Sequence, residues 1–262
     1  MQFDIVLPSI VTLITVSIVW LYTRFEVKIK SLFEEKEFQI RDAVFLVVSM
    51  GTIVTIIVFV PQRALQILFL VAYSFVLFLF TYIAVEKWFL AVLPPIFFVG
   101  LYLSGFWNII FLNVFAIIFA ILISIYLGGL FSWKTVLVFA GLITIMDFIQ
   151  VFITRFMGTA AGKFIDLRLP VLLQVPTFPR QGGILLGLGD IFLAGLLAIQ
   201  IELKYGRKAG AISAVLTGFA FFIFEIAILN FEFAGFFPAT LVVLFGWLAA
   251  FGIVYVRARH QS

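Results

Sequence analysis

Two aspartates lie in stretches of sequence that are otherwise apolar enough to cross a membrane. Asp147 lies within TVLVFAGLITIMDFIQVFIT, and Asp190 lies within GGILLGLGDIFLAGLLAIQIEL. An ionised carboxylate at the centre of a bilayer costs roughly 2.5–3.5 kcal/mol on insertion scales. Two carboxyl groups held side by side can share one proton, and the pair then offers a general base and a general acid to an attacking water. The spacing therefore predicts acid–base chemistry inside a membrane.

The composition indicates the class of protein that must hold these acids. Hydrophobic residues make up 65% of the 262 residues and charged residues 11%, whereas a soluble chain is about half apolar and about a quarter charged. Apolar runs close to the ~20 residues that cross a bilayer as a helix recur along the chain. We expect an all-α polytopic membrane protein whose residues 1–262 form a single transmembrane domain in contact with the lipid bilayer.

Nine transmembrane helices are predicted. Spans one to six occupy about residues 4–154, a connecting loop occupies residues 155–182, and spans seven to nine occupy residues 183–256. Pro94 and Pro95 are expected to break the fourth span. The predicted spans are residues 4–23, 43–60, 65–84, 88–104, 107–127, 134–154, 183–203, 209–230 and 235–256.

The distribution of positive charge predicts the orientation. With these spans, twelve Lys and Arg residues fall on one side of the membrane and five on the other. Positive residues accumulate in cytoplasmic loops, so we expect the N-terminus outside the cell membrane and the C-terminus in the cytoplasm. The net charge of +4 is explained by these loops, and no nucleic-acid partner is predicted.

Several kinds of site are excluded by the residues that the sequence lacks. It contains no cysteine, and its single histidine is His260, in the terminal tail. Thiolate catalysis, a histidine-ligated metal and a Ser-His-Asp triad are therefore excluded. We predict no cofactor and no metal, so any hydrolysis must depend on carboxyl groups.

The two aspartates are predicted to lie at the same depth. Span six is expected to run outward and span seven to return. Asp147 lies eight residues before Arg155, and Asp190 lies ten residues after Arg180. At a rise of about 1.5 Å per helical residue, both carboxyl groups lie roughly 12–15 Å from the outer face. If both segments are helical, the two side chains can meet.

Small residues and a proline lie near the predicted meeting point. Gly187 and Gly189 precede Asp190 and Gly195 follows it, and glycine allows close approach of a neighbouring helix. The segment Pro-Ala-Thr at 238–240 begins span nine on the outer side. A proline there frees backbone groups close to the acids.

The run Gly187-Leu188-Gly189-Asp190 resembles the GxGD signature of the presenilin and signal-peptide-peptidase family of intramembrane aspartic proteases. That family has nine spans, one aspartate in span six, the GxGD aspartate in span seven, and a Pro-Ala-Leu motif that opens span nine. The sequence matches all three placements over essentially its whole length. The resemblance implies that Asp147 and Asp190 are the catalytic pair and that Pro238, Ala239 and Thr240 occupy the Pro-Ala-Leu position.

Two positions depart from the family pattern. Met146 stands where the family usually has tyrosine, and Thr240 replaces the leucine of the Pro-Ala-Leu motif. Both departures leave the acids unchanged. The predicted topology is similar to that of the signal-peptide-peptidase branch, and the lack of a large soluble insert resembles a compact archaeal member that works alone.

The expected activity is hydrolysis of peptide bonds in transmembrane helical peptides or signal-peptide remnants, with a homo-oligomer possible. Because a helix closes its own amides, the substrate must unwind, and residues 169–175 and 183–186 are predicted to form an extended platform that receives it. Prolines 170 and 176 suit such an extended segment. The residues expected to bind substrate are Gly187, Leu188, Gly189, Pro238, Ala239, Thr240, Leu172 and Leu173.

Other interpretations of the aspartates remain open. They could be structural hydrogen-bonding groups between helices, proton carriers of a proton-coupled transporter, or the acids of a prepilin or preflagellin peptidase, which also has GxGD but fewer spans. Of the remaining polar residues, Gln150 could orient Asp147, Glu225 is interpreted as a clamp between helices, and Glu202 as an interfacial residue.

Overall fold

The chain folds almost entirely into helices, and the structure, a computed structural model, describes residues 2–32, 37–179, 182–231 and 235–261. The helices are α1 (Val6–Leu32), α2 (Ile40–Phe59), α3 (Gln62–Val85), α4 (Trp88–Ala91), α5 (Leu93–Leu103), α6 (Ile109–Gly128), α7 (Trp133–Phe148), α8 (Phe156–Asp166), α9 (Leu188–Tyr205), α10 (Arg207–Asn230) and α11 (Ala239–Gln261). A π-helix (Ile149–Ile153) continues α7, and two strands, β1 (Leu172–Pro176) and β2 (Gly183–Gly187), form an antiparallel hairpin.

Seven helical segments within the described ranges are long and apolar enough to cross a membrane. They are α1, α2, α3, α6, α7 with its π-helix, α10 and α11. Helices satisfy their own backbone hydrogen bonds, as a hydrocarbon environment requires. The chain is therefore an all-α membrane protein, as the composition predicts.

Two of the nine predicted spans differ from this simple form. The fourth is divided at Val92 into α4 and α5, because Pro94 and Pro95 occupy the first turn of α5 and cannot continue a preceding helix. The seventh begins at Leu188 and not at residue 183, because residues 183–187 form β2. The prediction of a helix beginning at 183 was wrong.

The segment between the sixth and seventh spans is folded. Arg155 adopts a left-handed backbone conformation with φ of 59°, so α8 is a separate helix and not a prolongation of α7. β1 follows it, so the extended conformation predicted for residues 169–175 is confirmed from Leu172 to Val175. Tyr102 Oη donates to the carbonyl oxygen of Leu167 at 2.7 Å, and Trp107 Nε1 donates to that of Arg168 at 3.0 Å. These two bonds attach the end of α8 to the α5–α6 region.

Helix α9 lies at the centre of the helix bundle. Every side chain from Ile191 to Glu202 is buried, and α1, α6, α7, α10 and α11 all pack against it. A Cβ atom added to Gly195 would lie 2.7 Å from Ile18 Cδ1 of α1, so this glycine allows the close contact that its position predicts. The helix that carries Asp190 is thus held on all sides.

Side-chain contacts identify which helix ends lie together. At one end of the bundle, the backbone N–H of Gln2 donates to Asn230 Oδ1 at 2.9 Å, which joins the start of α1 to the end of α10. At the other end, Lys28 forms an ion pair with Glu86 at 3.0 Å, and Thr23 Oγ1 donates to Glu202 Oε1 at 2.9 Å. Glu202 is therefore a buried partner of α1 near the end of α9, and its interpretation as a residue of the membrane interface stays a prediction.

Candidate active site

Asp147 lies next to the end of α7 and directly before an irregular turn. Asp147 is 9% exposed. The π-helix begins two residues later, and the N–H of Thr154 donates to the carbonyl oxygen of Ile149 at 2.9 Å, which is the wider hydrogen-bond spacing of a π-turn. Short π-helices within longer helices are frequent at functional sites. The periodicity of the sequence contained no signal for this change.

Asp190 lies in the first turn of α9 and not in the middle of a helix. The strand β2 ends at Gly187, so Asp190 is the third residue of the helix that follows. The depth argument assumed helix from residue 183 onward, and that step was wrong because extended residues rise about 3.3 Å each. The side chain of Asp190 is partly exposed.

The structure nevertheless brings the two acids together. The carboxyl group of Asp147 is close enough to act electrostatically on that of Asp190, and α7 packs directly against α9. One acid is buried and the other is partly accessible. A pair of this kind can hold one proton and one negative charge, and it presents the accessible acid to an incoming group.

Each acid also lies beside the amino-terminal end of a helix, which is α11 for Asp147 and α9 for Asp190. The hydroxyl of Thr240 donates to Asp147 Oδ2 at 2.8 Å, and the backbone N–H of Thr240, in the first turn of α11, lies near the same carboxyl group. The backbone N–H of Gly187, the N-cap residue of α9, lies near the carboxyl group of Asp190. The positive ends of two helix dipoles therefore meet at the pair and stabilise one negative charge there.

The residues of the GLGD run have different surroundings. A Cβ atom added to Gly187 would lie 3.0 Å from Asp190 Oδ2, so the absence of a side chain lets the carboxyl group fold back onto the backbone. Leu188 is buried. Gly189 is exposed, and a Cβ atom added to it would meet nothing within 4 Å. Open space therefore lies beside the partly exposed acid.

The Pro-Ala-Thr segment forms the start of α11. Pro238 is buried and immediately precedes the helix, Ala239 is its first residue, and Thr240 is buried against Asp147. Thr240 was identified from the sequence only as a departure from a motif. Its hydroxyl is a polar contact that the leucine of that motif would not make.

The hairpin places Leu172 and Leu173 in the strand farther from Asp190 in sequence. In β1, Leu172 is opposite Gly187 and Leu173 is opposite Leu186. The side chain of Leu173 is buried, and that of Leu172 is half-buried. The extended conformation predicted for residues 169–175 and 183–186 is confirmed where these strands form, since β1 and β2 pair over residues 172–176 and 183–187.

Hydrogen bonds on β1 determine which edge of the sheet is covered. Asn113 of α6 donates from Nδ2 to the carbonyl oxygen of Gln174 at 2.7 Å, and the N–H of Gln174 donates to Asn113 Oδ1 at 2.9 Å. The backbone groups of Gln174 thus point away from β2. Asn113, an amide in an apolar span, is a site residue that the sequence analysis missed.

The outer edge of β2 carries backbone groups that do not pair with β1. Because Gln174 is opposite Leu185 and points away from it, the pair is not hydrogen-bonded, and the N–H and C=O of Leu185 point to the outer side of β2. Two hydrogen bonds between the strand ends agree with this alternation of bonded and non-bonded pairs. They run from Thr177 N to Gly182 O and from Leu188 N to Val171 O, each at 3.2 Å. An outer edge of β2 therefore leads directly to Asp190.

Gln150 has a role different from the one suggested. Its Nε2 donates to the carbonyl oxygen of Gly51 in α2 at 3.0 Å, so its amide joins two helices. A Cβ atom added to Gly51 would lie 2.6 Å from Met146 Cε. Met146 and Gln150 thus fasten α7 to α2 on both sides of Asp147.

In the described ranges, no group of three or more His, Cys, Asp or Glu side chains is arranged to hold a metal ion. Comparison with protein-family models gives no match, and comparison with curated proteins gives no significant match.

Proposed function

We propose that the protein is an intramembrane aspartic endopeptidase of the presenilin and signal-peptide-peptidase type. The observation that carries the proposal is the convergence of Asp147 and Asp190 from two different helices, each at a helix amino terminus. In this proposal the seven long apolar spans are completed by α9 and by the divided α4–α5 segment, which makes nine.

The proposed reaction is direct attack of water on a peptide carbonyl. One aspartate is ionised and removes a proton from the water, and the other is protonated and donates a hydrogen bond to the carbonyl oxygen. The tetrahedral intermediate then collapses, and the leaving nitrogen receives a proton from the pair. Asp190, with open space at Gly189, is the acid nearer to the incoming peptide.

The proposed binding mode adds the unwound substrate as a strand to the outer edge of β2. Its supports are the outward backbone groups of Leu185 and the short distance along the chain from that edge to Asp190. An added strand would satisfy the N–H and C=O groups that unwinding exposes, each of which costs several kcal/mol in an apolar setting. β1 packs on α1, α6 and α8, so Leu172 and Leu173 support the platform from behind.

Thr240→Val tests whether the hydroxyl positions Asp147. The substitution keeps the branched shape and the backbone N–H but removes the 2.8 Å hydrogen bond to Asp147. A hydrogen bond to a charged group contributes about 1.5–3 kcal/mol, so we expect cleavage to fall about tenfold or more, with the pH profile displaced. Thr240→Ser should retain most activity and the wild-type profile. Equal activity of both variants, with unchanged profiles, would show that the hydroxyl has no part in positioning.

The proposed topology places the hairpin turn outside and the C-terminus in the cytoplasm. The bundle end that contains Arg24, Lys28, Lys204 and Arg207 is the one rich in positive residues. Lys36 and Arg180, two residues in the sequence count, lie outside the described residues, as does Ser262.

Membrane-impermeant thiol labelling tests this orientation, because the sequence contains no cysteine that would interfere. In intact cells we expect Thr177→Cys to be labelled and Ser262→Cys to be labelled only after permeabilisation. The reverse pattern would contradict the orientation and leave the chemistry of the two acids unaffected.

A proton-coupled transporter is the alternative that uses the same two residues. Purified protein in liposomes distinguishes the two functions. The endopeptidase predicts cleavage of an added transmembrane peptide with no dependence on a pH gradient. Proton movement coupled to a solute, with the peptide left intact, would favour the transporter.

A further inference from the structure

A second pair of acids lies at the far end of the hairpin, beside the start of α1. Asp4 is completely buried. Its Oδ1 accepts from the N–H of Val6 at 3.2 Å and from the N–H of Phe178 at 2.7 Å, and its Oδ2 accepts from the N–H of Leu7 at 3.2 Å. Asp4 therefore caps α1 and at the same time holds the hairpin turn.

Glu225 of α10 is the other member of this pair. It is 3% exposed, and its carboxyl group lies close enough to that of Asp4 for the two to interact electrostatically. Yet neither Glu225 oxygen has a partner in hydrogen-bond geometry within the described part of the chain. A buried carboxyl group with no partner requires an explanation.

The charges of the neighbourhood supply that explanation. Three N–H donors and the amino terminus of α1 direct partial positive charge at the carboxyl group of Asp4. Two negative charges on carboxyl groups buried side by side, without a cation, would be strongly unfavourable. Asp4, at the start of α1, is the titratable group that faces Glu225. Helices α9 and α11 also pack against α10, and their described residues place no charged group beside Glu225.

We propose that Glu225 carries a proton that it shares with Asp4, and that this outer proton site locks the hairpin turn to α1 and α10. The backbone of the turn is joined to α1 at the same point, because Ile5 N donates to the carbonyl oxygen of Phe178 at 3.1 Å. Loss of the proton places two negative charges in contact, and their repulsion separates the two carboxyl groups. The turn, which Asp4 holds by a single backbone N–H, is then released.

The site is separate from the pair Asp147 and Asp190, and the proposal does not depend on any catalytic activity. The hairpin connects the two pairs, since its turn is held at Asp4 and its second strand ends beside Asp190. Protonation at Asp4 and Glu225 thus controls the order of the strand edge that leads to Asp190.

Hydrogen exchange of the full-length protein in lipid nanodiscs, followed by mass spectrometry, tests the proposal. Exchange in residues 172–179 is compared with exchange in α6 across a pH range of about 6 to 10, after correction for intrinsic rates. In the wild type we expect protection of the hairpin to fall about tenfold or more, relative to α6, as the pH rises through loss of the shared proton.

Substitutions identify the group responsible. Glu225→Gln is neutral and can donate to Asp4, so hairpin protection should stay constant within about twofold over the same range. Asp4→Asn removes the charge and keeps an oxygen to cap α1, and it should also abolish the pH response. Glu202→Gln, at a buried glutamate on α9 at the opposite end of the bundle, is the matched control and should respond as the wild type does.

Three results would overturn the proposal. They are hairpin protection that does not change with pH in the wild type, a pH response that survives in Glu225→Gln or in Asp4→Asn, and protection that depends on sodium, potassium or calcium at fixed pH. The last result would show that a metal cation, and not a proton, neutralises the pair. If one neutralising variant does not insert, the other decides the question.

Discussion

Asp147→Asn and Asp190→Asn are each expected to reduce cleavage of a transmembrane peptide by at least about 10³-fold. Asparagine is nearly the same size as aspartate, and its amide oxygen can still accept from Thr240 or lie near the N–H of Gly187. The helix ends therefore stay capped, and only the ability to exchange a proton is lost. The measurement is initial cleavage rate in liposomes at saturating peptide.

The double variant gives the sharper result. Residues that act as one unit lose activity non-additively, so Asp147→Asn combined with Asp190→Asn should be no slower than either single variant by more than about tenfold. Thermal unfolding of all three proteins should be close to that of the wild type. Full activity in either single variant would show that the two acids have no catalytic role and only stabilise helix ends.

Leu185→Pro is expected to impair cleavage of helical substrates by about tenfold or more, while short extended peptides are affected much less. Proline removes the outward N–H of Leu185 but no hydrogen bond between β1 and β2, because this residue pairs with Gln174 without hydrogen bonds. A hydrogen-bonding group left without its partner in an apolar setting costs about 1–3 kcal/mol. A helical substrate depends on that donor after it unwinds, and a soluble extended peptide does not.

Leu185→Ala is the matched control, since it removes the same side chain, which is 42% exposed, and keeps the N–H. It should behave like the wild type towards both substrates. If Leu185→Pro slows both substrates equally, or neither, strand addition at β2 is not how the substrate binds, although the catalytic proposal would remain.

Much of the architecture follows from hydrophobic run length, and this explains which predictions succeeded. Apolar runs of about 20 residues become helices because the backbone N–H and C=O groups must hydrogen-bond with each other in lipid. The prolines at 94 and 95 divide one of these runs, as expected. The extended conformation predicted for residues 169–175 is confirmed from Leu172 to Val175, where β1 forms, and residues 169–171 lie outside the strand. The signal was local, since Pro170 and Pro176 disfavour a helix there.

The start of α9 shows where run length fails. Residues 183–187 are as apolar as the helix that follows, so hydrophobicity cannot distinguish them. They form a strand because β1 offers a partner and because Asn113 fixes the position of β1. Those contacts join residues distant in sequence, and single-sequence patterns do not contain them.

Polar contacts within the site could not be predicted from the sequence either. Thr240 could be recognised as an unusual residue, but its bond to Asp147 depends on how α11 crosses α7. Gln150 lies one turn from Asp147 in sequence, yet its amide reaches Gly51 of α2. Asp4 is the first residue of the first predicted span, and no pattern in the sequence indicated that it would bind the backbone of Phe178.

Mass spectrometry of the products formed from a transmembrane peptide tests the central claim most directly. The purified wild-type protein, reconstituted with the peptide in liposomes, is predicted to yield two fragments whose new ends lie within the hydrophobic segment. Asp190→Asn protein prepared in parallel is predicted to leave the peptide intact. An intact peptide with the wild type, or identical fragments with both proteins, would contradict the assignment of Asp147 and Asp190 as a proteolytic pair.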